Sequence, residues 1–111
     1  METEFGIVLT TVAAPEDARR LADGLLDQRL AACVQTLSIQ SAYRWKGAVQ
    51  REPELLLLIK TRTALYPVVE AFLRAHHPYE TPEIVRVPIA AGAPAYLRWL
   101  AAETEGPADL G

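Results

Sequence analysis

Between Cys33 and Arg62 the chain carries two long strand-like runs separated only by Lys46-Gly47. In the first, CVQTLSIQSAYRW, Cys33, Leu37, Ile39, Tyr43 and Trp45 share one parity, while Thr36, Ser38, Gln40 and Arg44 share the other. That alternation is the period of a strand with one apolar face. The second run returns from Val49 to Thr61, and its centre, LLLLI, is apolar on both parities. Such a strand sits inside a sheet covered on both sides. Lys46-Gly47 marks the turn, and Pro53 lacks the amide hydrogen a ladder needs, so a bulge or an edge is expected there. A 33–62 hairpin is longer than the sheet of a small domain requires. Its ends must overhang and offer free edges, which proteins protect or pair.

The remaining segments fit around the hairpin. EFGIVLTTV, residues 4–12, is short and β-branched, as a strand is. Pro15-Glu16-Asp17 opens a helix, with proline in the first turn and acids at the positive dipole end. Ala18, Leu21, Ala22, Leu25, Leu26 and then Leu30 or Ala31 form one apolar stripe, a helix of about four turns. A second helix spans Thr63 to His76, with Thr63 as candidate N-cap and Leu65, Val68, Val69, Phe72, Leu73 and His76 as its stripe. EIVRVPI, residues 83–89, reads as a short strand, and Pro94 starts a last helix carrying Tyr96, Leu97, Trp99 and Leu100.

The order is strand, helix, strand, strand, helix, strand, helix. This is the α+β, ferredoxin-like split βαβ plan: βαββαβ plus a C-terminal helix, with a four-stranded antiparallel sheet. Right-handed crossovers put both long helices on one face. The other face is left bare although the strands are apolar on more than one side, so a homo-oligomer is expected. The alternative is a monomer whose twisted hairpin is covered by the C-terminal helix. Residues 1–103 read as one domain and TEGPADLG, residues 104–111, as a flexible tail.

Composition narrows the function classes. The 111 residues fit a single domain, and half are hydrophobic. A net charge of -3 argues against nucleic acid and anionic membranes as partners. One cysteine, Cys33, excludes an intrachain disulfide and a cysteine-rich zinc site. The N-terminus is acidic where a signal peptide is basic, and no run approaches the ~20 apolar residues of a membrane helix. The expectation is a soluble cytoplasmic protein.

Three segments, in order, carry a resemblance: RLAACVQTL, SAYRWKGAVQREPELLLLIKTR and HHPYETPEIVRVPIAAGAPAYLRWL. Together they resemble the CutA divalent-cation tolerance proteins over roughly residues 5 to 100. The pairing of Tyr-Arg-Trp-Lys-Gly with His-Pro-Tyr-Glu-x-Pro-Glu is its specific part. The resemblance implies a ferredoxin-like subunit similar to the PII signalling proteins, assembled as a homotrimer whose long strands continue each other's sheets. It also implies a link to divalent metals, notably Cu(II), and leaves a protein partner open. No reaction is attached to the family.

His76 and His77 are the candidate metal ligands, since imidazole suits Cu(II) and other divalent ions. Adjacent residues on a helix point about 100° apart, so the pair chelates one ion only if the helix ends between them. The competing reading is a helix end, where histidine meets the negative dipole and Pro78 stops the helix. In copper-binding relatives the pair is implicated with a cysteine on the first strand, and the matching position here is Thr10. A threonine hydroxyl is a poor ligand for such an ion, which weakens the copper reading. Glu80 and Glu83 could shape a site or fix the turn, with Lys60 or Arg62 as partner. Cys33 reads as a small buried residue. Tyr43, Trp45 and Trp99 read as oligomer-interface anchors. No cofactor seat and no activated nucleophile is visible. The expected function is a non-enzymatic, trimeric divalent-cation tolerance protein; the alternative is a PII-like signalling or scaffolding trimer that binds a partner or small ligand in clefts between subunits.

Overall fold

The computed structural model describes residues 3–105. Its elements are β1 (Phe5–Val12), α1 (Pro15–Asp27), β2 (Cys33–Trp45), β3 (Ala48–Arg62), α2 (Tyr66–His76), β4 (Val85–Pro88) and α3 (Pro94–Glu103). The strands form one sheet in the order β2-β3-β1-β4, with every neighbouring pair antiparallel. Each long helix therefore carries the chain across one intervening strand, and the ferredoxin-like plan holds.

The hairpin turn follows from Lys46-Gly47. Both residues have positive φ, 51° and 83°, the conformation whose twist matches two paired strands. Register then runs unbroken from Trp45↔Ala48 to Cys33↔Lys60, so Pro53, opposite Gln40, makes no bulge. It lies where β3 is an edge, because β1 reaches only as far as Val12↔Leu55. Residues 48–54 pair with β2 alone, an overhang of about 23 Å at the rise of a strand.

Parity along β3 sorts the two faces. Leu57, Ile59 and Thr61 are buried beside Val8, Thr10 and Val12 of β1. They meet Ala18, Leu21 and Leu25 of α1 and Val69 and Leu73 of α2. Gly24 allows the two helices to close: a Cβ there would lie 2.5 Å from Cζ of Phe72. The stripes are narrower than their sequences imply. Leu26 and Val68 are exposed, as is His76, because two helices side by side each turn only part of their circumference to one sheet. Thr63 caps nothing; it starts a 3-10 turn ahead of α2, and its hydroxyl donates to the Thr3 carbonyl at 2.6 Å.

The opposite face carries Ile7 and Leu9, Leu37, Leu56 and Leu58, and Val85 and Val87. Leu37 is 57% exposed, and Val85 and Val87 are exposed too. α3 covers one end of it only. Lys60 Nζ lies 5.5 Å from the Tyr96 ring centroid, and Phe5 and Leu100 are buried outside the main core cluster. Two arginines satisfy carbonyls at the end of α3 and just past it: Arg29 Nη2 donates to Ala102 O at 2.6 Å, and Arg62 Nε to O of Thr104, the residue after the helix, at 2.8 Å. Thr104 therefore corrects the tail boundary. It is fully buried and donates its hydroxyl to Leu100 O at 2.7 Å. Residues 106–111 of the expected tail lie outside the described residues. No helix among the described residues is long and apolar enough to cross a membrane.

Candidate functional site

Pro78 sets the geometry of the histidine pair. The residue before a proline is pushed out of the helical region, and His77 is extended, at φ -74° and ψ 139°. Helix α2 thus ends between the two histidines, and the His77 N–H closes it by donating to Leu73 O at 2.8 Å. The rings part company. His76 is exposed and packs on Phe72, centroid to centroid 4.4 Å. His77 turns inward: its Nε2 lies 2.9 Å from Thr11 O, and its Nδ1 accepts the Tyr79 N–H at 3.0 Å.

That pattern fixes the tautomer. Nδ1 is an acceptor, so the ring proton sits on Nε2 and is donated to the Thr11 carbonyl. Burial lowers the His77 pKa from its ordinary value, partly opposed by the Thr11 carbonyl and Asp17. Both nitrogens of His77 are engaged, and the side chain ties the turn after α2 to the end of β1. A cation at this residue would have to displace one of those bonds.

Thr10, matched above to the third ligand position, is fully buried on the helix-covered face. Its hydroxyl has no hydrogen-bond partner. Among the described residues no group of three or more His, Cys, Asp or Glu comes together to hold a metal ion. The donor set present, an occupied imidazole, an exposed imidazole and a buried hydroxyl, does not make a preformed copper site.

The turn held by His77 reaches a second feature. The Tyr79 ring lies 4.9 Å from His77, and its hydroxyl donates to Glu54 Oε2 at 2.7 Å. Burial, then the Glu54 hydrogen bond, push the Tyr79 pKa far up, so the phenol stays protonated. Nearby, the Tyr43 hydroxyl donates to Glu52 Oε1 at 2.8 Å, which raises its pKa as well. These side chains wall a groove of about 770 Å³. It runs between the hairpin from Ser41 to Trp45, with Glu52 and Glu54, and the turn 79–83.

The sequence-derived candidates divide accordingly. Glu80, Glu83, Tyr43 and Trp45 line the groove. Lys60 and Arg62 do not partner Glu83; they meet Tyr96 and Thr104 of the C-terminal segment. Trp99 is exposed on α3 beside Tyr96, centroids 5.5 Å apart. Sequence reasoning missed Glu52, Glu54 and the Tyr79–Glu54 bond. The signal for the first two was present: a two-residue turn at 46–47 pairs Ser41 with Glu52 and Ile39 with Glu54, on the face of Tyr43.

Comparison with known proteins places this geometry. Residues 6–103 match the family model described as CutA1 divalent ion tolerance protein. The chain is 48% identical over 99 residues to the divalent-cation tolerance protein CutA of Thermus thermophilus, covering 88% of this chain and 96% of that one. It is 39% identical over 95 residues to Protein CutA of Mus musculus, covering 85% of this chain and 54% of that one, about half its length. The structure of a periplasmic divalent cation tolerance protein CutA from Archaeoglobus fulgidus superposes with a TM-score of 0.89 at 33% identity, covering 91% and 99% of the two chains.

Proposed function

The chain belongs to the CutA1 divalent ion tolerance family, and on that premise we propose that it serves divalent-cation tolerance as a non-catalytic homotrimer. The observation that carries this reading is the uncovered apolar face of the sheet. Leu37, Val85 and Val87 are exposed on it, with Ile7, Leu9, Leu56 and Leu58 half-buried between them. A contiguous apolar face beside a free-edged hairpin is a surface built to be covered. A second copy offers the same face and the same edge. Trp45 at the hairpin tip and Trp99 on α3, both exposed aromatic residues, are anchors for such contacts.

On this reading metal reaches the assembly through His76, whose imidazole is exposed, and not through a chelate with His77. Cu(II) titrated against a competing chelator should bind weakly, and His76→Ala should remove that binding. Tight binding that needs both histidines would overturn this part. The assembly has its own test. Light scattering on the full chain should give three times the chain mass, and Leu37→Glu should give the monomer. A native chain that is monomeric at all concentrations would sink the proposal.

The second reading is a PII-like trimer that senses a small ligand or a partner. The groove favours it, because aromatic and carboxylate groups converge there with an open space between them.

A further inference from the structure

The hairpin leaves the body of the domain at one place. Leu55 is the last residue of β3 to pair with β1, through Val12. Residues 48–54 pair with β2 alone and form a two-stranded arm about 23 Å long. A two-stranded ribbon is marginally stable by itself and twists more than the inner part of a sheet. Residues 42–49, around the tip of the arm, are all exposed, and the first buried residue of β3 is Glu54, at 9% exposure. Glu54 is thus the root of the arm.

The contact at that root is Tyr79, whose hydroxyl donates to Glu54 Oε2 at 2.7 Å. Tyr79 is itself held: its N–H donates to His77 Nδ1 at 3.0 Å, and His77 Nε2 donates to the Thr11 carbonyl at 2.9 Å. The path runs from the end of β1 through the turn to β3, just where β1 ceases to pair with β3 directly. Tyr43 and Glu52, by contrast, bond across the two strands of the arm and leave its direction free. Burial and the Glu54 bond keep the Tyr79 phenol protonated, so it remains a donor. A leucine at position 54 would continue Leu56 and Leu58 and would be easier to bury than a carboxylate. A hydrogen bond, being directional, sets one arrangement instead.

We propose that the Tyr79–Glu54 bond is a latch that fixes the direction of the hairpin arm and so positions Trp45, at its tip, for contact with a second copy of the chain. A swing of about 10° at the root moves a tip about 23 Å away by about 4 Å, more than an aromatic anchor in a packed contact can follow. Tyr79 is on this account a positioning residue, acting through Glu54 and the arm. The latch itself needs only one chain; its use in assembly rests on the trimeric reading above.

Amide hydrogen exchange read by mass spectrometry tests the latch, and light scattering over a dilution series tests what it positions. Exchange is measured on the full chain carrying Leu37→Glu, expected to be monomeric, so that no neighbour holds the arm. Tyr79→Phe in that chain keeps the ring on His77 and removes only the hydroxyl. It should speed exchange of residues 48–54 by about tenfold and leave residues 55–61 unchanged, since a bond to a carboxylate is lost at the root alone. With Leu37 restored, Tyr79→Phe should raise the concentration at which the trimer dissociates by about tenfold. Glu54→Gln, whose amide oxygen still accepts the phenol, should stay within about threefold of its parent chain in both measurements. An arm no looser in Tyr79→Phe, or equal loosening of 55–61, would overturn the latch. A looser arm with unchanged dissociation would overturn its role in positioning. A native chain that is monomeric sinks the trimeric reading, and the exchange result then decides the latch by itself.

Discussion

Leu57 and Leu58 are neighbours on β3, yet they belong to different environments. Leu57 points into the layer made by α1 and α2 and is fully buried. Leu58 points the other way, between Leu9 and Gln35, and is only half-buried. One face of the sheet is completed by the chain itself. The other is completed at one end by α3 and at the far end by the His77 turn, with an apolar stretch left between. The difference separates two kinds of stability, that of the fold and that of whatever covers the fold.

Charge substitutions at these two leucines give the sharpest contrast. Leu57→Asp puts an unpaired carboxylate among Val8, Ile59 and Leu21, and should cost more than the whole stability of the domain, about 5–15 kcal/mol. No cooperative unfolding transition should remain by circular dichroism. Leu58→Asp should keep that transition and lose the oligomeric mass. If both variants unfold, or both stay assembled, the two faces are not distinct in the way described.

Truncation sharpens the helix-covered side. Leu57→Ala should cost about 2–5 kcal/mol by chemical denaturation, the range for a buried leucine with its cavity. A shift below about 1 kcal/mol would mean that the site collapses or is exposed.

Thr10 tests the same core from its polar side. Its hydroxyl is buried without a partner, whereas the hydroxyl of buried Thr61 donates to Leu30 O at 2.6 Å. Thr10→Val should therefore stabilise the chain by about 1 kcal/mol, and Thr61→Val should destabilise it by a similar amount, both read from denaturation midpoints. Equal signs would show that the two hydroxyls are not in different states.

The smallest effect is a pH dependence. The folded state holds the His77 pKa below its ordinary value near 6.5, so the unfolded chain binds the proton more readily. Stability from this residue is full above about pH 6.5 and declines as pH falls from there toward the lower folded value. Denaturation at about pH 8 and about pH 5.5 should show that loss, and His77→Gln should flatten it. A slope unchanged in the variant would assign it to other groups.

Much of this was legible in the residues. The 2.0-residue alternation of 33–45, the 3.6-residue stripes of the helices and the Lys46-Gly47 turn give the split βαβ order and the long hairpin, because each signal is local. Even the groove's carboxylates follow once the turn fixes the register. The residues that sequence reasoning misjudged were decided by tertiary neighbours. Val68 and His76 match the helical period but lie beyond the strip that the sheet can touch, and Thr104 reads as tail although Arg62 holds it. Arg62 itself, a natural partner for a nearby glutamate by charge, satisfies carbonyls instead.

What the sequence determined, then, was the set of elements, their order and the presence of one more apolar face than a single layer of helices can cover. Periodicity and turn chemistry act over a few residues, so one chain read along its length contains them. Only the tertiary structure decided where His77 spends its two nitrogens, that Thr10 keeps an idle hydroxyl, and that Glu54 is buried and accepts the Tyr79 hydroxyl. Those outcomes depend on contacts between residues as far apart as 11 and 77, and a hydrogen bond is set by the position of both partners in space.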